Sequence, residues 1–158
     1  SGEVRSAAVQ VVAHLAEHGD EAATEALVAM VSDETAQVRT GALAALTQIA
    51  HPGGASPTSA ALGRLRDGNS TVRCAALVAL PRIVGRGHGL AVARALESLE
   101  DESSDVRKAA VRSLLELAQR GDPRVVAALS RSAMRDTDAL VQNAASYVLA
   151  RLEDRTPR

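Results

Sequence analysis

The pair Val-Arg returns at a fixed interval. Val4-Arg5, Val38-Arg39, Val72-Arg73 and Val106-Arg107 stand 34 residues apart, and Val141-Gln142 follows after 35. The surrounding residues repeat with the pair: VRSAAVQVVAHLA, VRTGALAALTQIA, VRCAALVALPRIV, VRKAAVRSLLELA and VQNAASYVLARLE begin at these five valines. A period of this length restricts the chain to stacked copies of one small unit, none of which can bury its apolar face alone.

Inside each copy the apolar residues fall at steps of three and four, as in Val38, Ala42, Leu46 and Ile49. That is one stripe of an amphipathic helix. Ser1, Thr35, Asn69, Ser103 and Asp138 stand three residues before the five valines. All are side chains that can accept a first-turn amide, so each is an expected N-cap. These "B" helices are predicted at about residues 2–17, 36–50, 70–85, 104–119 and 139–153. Shorter "A" helices are predicted at Glu21–Val31, Pro57–Arg66, Leu90–Leu99 and Pro123–Met134. Ser56-Pro57 and Asp122-Pro123 read as an N-cap followed by a first-turn proline. Gly and Pro mark the breaks, and no strand pattern occurs. Pro81 falls inside the third B helix, where it removes a backbone bond at a cost of about 3 kcal/mol, so a kink is expected.

The filling of the interior is constrained by what is missing. Hydrophobic residues make up 46% of the 158, yet there is one Tyr and no Trp or Phe. A single deep core normally uses large rings; Ala, Leu and Val suit thin layers of close helices. Tetratricopeptide repeats share the period but need aromatics at fixed positions, and the ankyrin Thr-Pro-Leu-His signature is absent. Asp33, Asp67, Asp101 and Asp136 each precede a repeat valine by five residues. This Asp, the Val-Arg pair and the following Ala-Ala and Leu resemble the HEAT family, in the short form of the lyase-type HEAT-like repeats. The resemblance implies an all-α, right-handed α-α superhelix. Here it would hold four helical hairpins plus one unpaired N-terminal helix, with repeats at about 1–18 (half), 19–52, 53–86, 87–120 and 121–155 of a single 1–158 domain.

The four Asp and four Arg in register are expected to be structural, since a catalytic site needs one constellation and not four copies. The carboxylates can favour helix N-termini and the guanidinia can reach an adjacent repeat. His14, His18, His51 and His88 offer no set of three or four ligands, and no metal or cofactor is implied. The His-Glu pairs of HEAT-like iron hydroxylases do not occur. Cys74 has no partner for a disulfide and no base beside it in sequence, so no catalytic residue is assigned and no enzyme activity is expected.

Net charge is −1, which gives no general pull towards nucleic acid. No apolar run approaches the roughly 20 residues of a membrane span, and the first residues do not read as a signal peptide. A cytoplasmic protein is expected. The resemblance also implies that B helices line the concave surface. Their non-packing rows then give a protein-binding surface, for which Gln48, Val78, Arg82, Lys108, Arg112, Glu116, Asn143, Tyr147 and Arg151 are the candidates. These positions vary between copies while the core positions do not. Arg82, Lys108, Arg112 and Arg151 gather with Tyr147 towards the C-terminus, which points to an acidic segment of a protein partner; Arg and Tyr are common anchors of interfaces. The alternatives are binding of a nucleic-acid backbone through the same basic end, or a non-catalytic subunit of a lyase-type enzyme.

The two ends differ. The chain opens on a B helix, which leaves apolar residues among Val4, Val9, Val11 and Val12 without an A helix. The expectation is a piece of a longer array, or end-to-end self-association through the N-terminal helix. Ser146 replaces the Val or Leu of the other four copies, as a polar cap would.

Overall fold

The structure is a computed structural model and describes residues 1–153; residues 154 and 155 of the last expected repeat lie outside them. Nine α-helices and no strands occur among the described residues: α1 (Gly2–Leu15), α2 (Glu21–Met30), α3 (Ala36–Ile49), α4 (Ala55–Arg64), α5 (Ser70–Val84), α6 (Gly89–Glu97), α7 (Ser104–Leu117), α8 (Pro123–Arg135) and α9 (Ala139–Glu153). A single 3-10 turn, Ser98–Glu100, extends α6. The odd-numbered helices are the B helices, ending one or two residues earlier than expected. The chain forms two compact units, Ser1–Gly85 and Arg86–Arg158. In the first, α2 packs on α3 and α4 on α5, while α1 joins the α1–α3–α5 row of B helices. In the second, α6 packs on α7, α8 on α9, and α7 on α9. The fold is an all-α helical repeat.

Each hairpin buries the stripe read from sequence. Val38, Ala42, Leu46 and Ile49 are buried in α3, and Val106, Ala110, Leu114 and Leu117 in α7. Their A helices bring Leu27 and Val31, and Ala91, Ala95 and Leu99. Each fully buried Leu or Val is worth about 1.5–3 kcal/mol, and with no large rings the layers stay thin.

The helix starts are only partly as expected. Ser1, Asn69 and Asp138 accept first-turn amides from Val4, Thr71 and Leu140. Thr35 and Ser103 occupy N-cap positions but make no side-chain cap bond. Asp33 and Asp101 stand two residues earlier and accept the amides of Thr35 and Ser103 themselves. Asp122 caps α8 as expected. Ser56 does not cap α4: the helix begins at Ala55 with Gly54 as its cap, and Pro57 is its third residue. That position is equally tolerant, because a first-turn N–H has no intrahelical partner to lose. The α-helix α5 runs through Pro81 and ends at Gly85.

Two hydrogen-bonded ladders tie successive repeats together. In the first, each repeat Arg grips two turns at once. Arg39 donates to the carbonyl of Asp33 in its own turn at 2.8 Å and to the carboxylate of Asp67 in the next at 2.9 Å. Arg107 does the same with the Asp101 carbonyl at 2.9 Å and with both Asp136 oxygens at 2.8 and 2.9 Å. Arg5 makes the forward pair with Asp33, and Arg73 the backward bond to the Asp67 carbonyl. Gln142, in the Arg position, keeps the backward bond alone, to the Asp136 carbonyl at 2.7 Å. Arg5 and the Thr35 amide hold the Asp33 carboxyl below its ordinary range. For Asp136 the cause is Arg107, opposed by burial. Burial acts most strongly on Asp67 and would raise its carboxyl, but Arg39 and the Asn69 amide together outweigh it and leave it lowered.

The second ladder is made by glycines of the B-to-A turns. Gly19, Gly53 and Gly87 donate their N–H groups to the carbonyls of Ile49, Ile83 and Leu117, each at 2.7 Å. These carbonyls end α3, α5 and α7 and would otherwise lack an intrahelical donor. Gly53 and Gly87 have φ of +82° and +84°, a region that L-residues with a Cβ enter only at a cost. Arg86 adds a second donor in the last of these turns, reaching the Ala118 carbonyl at 2.6 Å. The 35-residue step is absorbed in α8. That helix has 13 residues where α2 and α4 have 10, and it continues to the edge of Asp136 instead of ending in a tight turn.

Candidate partner-binding surface

The helices α7 and α9 lie side by side, and the rows they turn away from α6 and α8 enclose a groove of about 480 Å³. It is lined by Lys108, Arg112 and Leu115 from α7 and by Leu140, Asn143, Ala144, Tyr147 and Val148 from α9. Four of the nine residues expected from sequence therefore meet here: Lys108, Arg112, Asn143 and Tyr147. Arg151 is exposed one turn beyond, its guanidinium carbon 5.7 Å from the centre of the Tyr147 ring, within range of a cation–π attraction. Glu116 is exposed on α7 one turn past Arg112 and does not line the groove. Gln48, Val78 and Arg82 belong to the first unit and are exposed there; Val78 keeps 67% of its surface in solvent. Gln48 engages through its carbonyl, 3.2 Å from Nδ1 of His18.

The groove combines two kinds of surface. Its floor is aliphatic, with Leu140 and Tyr147 left 61% and 58% exposed because nothing among the described residues covers them. Its α7 edge is cationic. Lys108 pairs with Asp105 at 2.9 Å, but the Asp105 side chain is 75% exposed. A pair so open to water holds its partners by about 1 kcal/mol or less, so Lys108 can exchange it for another carboxylate. Arg112 stands exposed one turn on.

The sequence reading missed the apolar half. Leu115, Leu140, Ala144 and Val148 all line the groove, yet each looks like ordinary helix packing. The informative one is Leu140. It occupies the place before the repeat valine, which holds Glu3, Gln37, Thr71 and Asp105 in the other copies. A leucine where four copies are polar marks a surface with a different use.

The ladders carry no such difference between copies. Asp67 and Asp136, each 5% exposed at the side chain, are occupied by arginines and amides. No group of three or more His, Cys, Asp or Glu is placed to hold a metal among the described residues. No helix among them is long and apolar enough to cross a membrane.

Comparison with known proteins agrees with the repeat. A family model described as HEAT repeats matches residues 58–150. No curated protein matches the sequence. HEAT repeats generally serve as protein-interaction scaffolds and are typically non-catalytic. With a match across more than half of its 158 residues, and with hairpins that keep one register from the first valine to the last, the chain belongs to the HEAT-repeat family.

Proposed function

We propose that this chain is a protein-interaction scaffold whose partner site is the α7–α9 groove, and that the groove takes an acidic, amphipathic segment. The observation that supports this is the pairing of an aliphatic floor at Leu140, Ala144 and Tyr147 with cations at Lys108 and Arg112. An apolar row on the partner would fill the floor while its carboxylates meet the cationic edge. Tyr147 is the natural anchor, being large, half-exposed and rigid.

The test is a titration of the isotope-labelled chain followed by NMR. The probes are a Glu-rich amphipathic helical peptide, the same peptide with Lys for Glu, and a single-stranded oligonucleotide. The proposal expects shifts on α7 and α9 with the acidic peptide alone, and affinity reduced about tenfold or more by Arg112→Glu. Equal binding of the Lys peptide, or no effect of Arg112→Glu, would overturn it. Oligonucleotide binding that collapses steeply with salt would favour the nucleic-acid alternative instead.

A further inference from the structure

We infer that the open face of α1 is a homodimer contact, in which α1 packs antiparallel on α1 of a second copy of this chain. In α3, the positions Val38, Ala45 and Ile49 are buried to 2% exposure or less, with α2 packed on the helix. The equivalent residues 34 places earlier are Val4, Val11 and Leu15. They are 67%, 55% and 73% exposed, because α1 has no A helix of its own among the described residues. The register of the molecule thus says what this face is shaped to receive: a short helix with a row of apolar side chains.

The A helices define that row. It runs Ala23, Leu27, Val31 in α2 and its cap, and Ala91, Ala95, Leu99 in α6 and the turn after it. The spacing is i, i+4, i+8, beginning on a small residue. Ala7, Val11 and Leu15 have the same spacing and the same small first residue, and all three are exposed. The face of α1 is therefore both the surface that needs an A-type row and a surface that supplies one. Self-complementarity of this kind generates a two-fold dimer.

Charge is compatible with that arrangement. Setting Val4 against the partner's Leu15 in antiparallel order keeps like flanks together and reverses their direction. Exposed Glu3 then lies beside the partner's His14, which is also exposed. A head-to-tail contact is less well served. The α9 residue equivalent to buried Val9, Leu43, Leu77 and Val111 is Ser146, which is exposed and donates to its own helix at Gln142. The expected self-association is thus head-to-head and closed, not an open chain of copies.

One helix face is smaller than the roughly 800 Å² per partner of a stable interface, so the dimer should be weak and concentration-dependent, with a Kd on the order of 100 µM. Sedimentation equilibrium of the 158-residue chain from micromolar to millimolar concentration tests it, beside Val11→Asp and Leu15→Glu. Both side chains are exposed, so the variants should keep the wild-type circular dichroism and melting temperature at low concentration. The proposal expects a monomer–dimer equilibrium in the wild type, weakened at least tenfold in each variant, with no larger species. A wild-type monomer at millimolar concentration would overturn it, as would dimerisation unchanged by both variants or open-ended polymers.

Discussion

The backbone N–H of Gly53 points at the carbonyl oxygen of Ile83, 2.7 Å away and 30 residues later in the chain. A turn that leaves one B helix thereby closes the end of the next. The bond requires the left-handed backbone that Gly53 adopts at φ +82°, and no atom lies within 4 Å of where a Cβ would be. Gly53→Ala should therefore lose about 1–2 kcal/mol through backbone conformation alone. Gly87→Ala should lose more, because its Cβ would meet the Gln119 amide nitrogen at 3.1 Å. Urea denaturation of the two variants checks the order.

Arg107 offers a way to separate its two grips. Arg107→Gln should behave as Gln142 does, keeping the bond to the carbonyl in its own turn and giving up the Asp136 carboxylate. The expected loss is about 1–2 kcal/mol. Arg107→Leu removes both bonds and should cost about 1 kcal/mol more. Equal melting temperatures for the two variants would mean that the carbonyl bond contributes nothing.

Asp67 is the most enclosed acceptor shown with its guanidinium partner, its side chain 5% exposed against 13% for Arg39. Asp67→Ala should destabilise by about 2–3 kcal/mol, since it leaves the Arg39 guanidinium half-satisfied and the Asn69 amide without its acceptor. Binding at the α7–α9 groove should be unaffected under conditions where the variant is folded.

The same carboxylates set an acid limit. Asp33, Asp67 and Asp136 are all lowered from 3.8. A lowered folded value means that the unfolded chain takes up protons first. Their contribution is then complete above about pH 5 and is lost as pH falls through 3.8 and below. Melting temperature should be flat from pH 5 to 7 as far as these groups are concerned and fall steeply below pH 4. Asp67→Asn and Asp136→Asn should each flatten that fall.

Ser113 is 3% exposed, and its hydroxyl has no hydrogen-bond partner among the described residues. The equivalent residues of α3 and α5 are Ala45 and Ala79. Ser113→Ala should raise stability by up to about 1 kcal/mol by removing an unpaired buried hydroxyl. A lower melting temperature would show that the hydroxyl is satisfied after all.

How far the sequence carried depends on what kind of signal each feature leaves. The helices were legible because burying Val38 or Leu114 imposes a spacing of three and four. The Asp–Arg ladder was legible as a repeat but not as a geometry. Spacing shows that Asp67 and Arg39 recur, not that one guanidinium spans two turns. The glycine ladder was present at 34-residue intervals at Gly19, Gly53 and Gly87, yet glycine in a turn is so ordinary that its N–H had no visible target. The groove was half legible. Its cations stood out as polar variation, while Leu140 and Val148 looked like more core, because a hydrophobic residue does not announce which side of a helix is covered.

The two ladders also bear on how such a chain can grow. Each links a residue to one about 30 positions later, and both repeat with the same 34-residue step. Any 34 consecutive codons within residues 1–85, wherever the first one falls, would therefore encode one guanidinium, one carboxylate, one turn glycine and one helix end to receive it. A tandem duplication needs no privileged breakpoint to yield an extra repeat that is joined on both sides from the moment it is translated. Unequal recombination could lengthen or shorten the molecule without first discovering where a repeat begins.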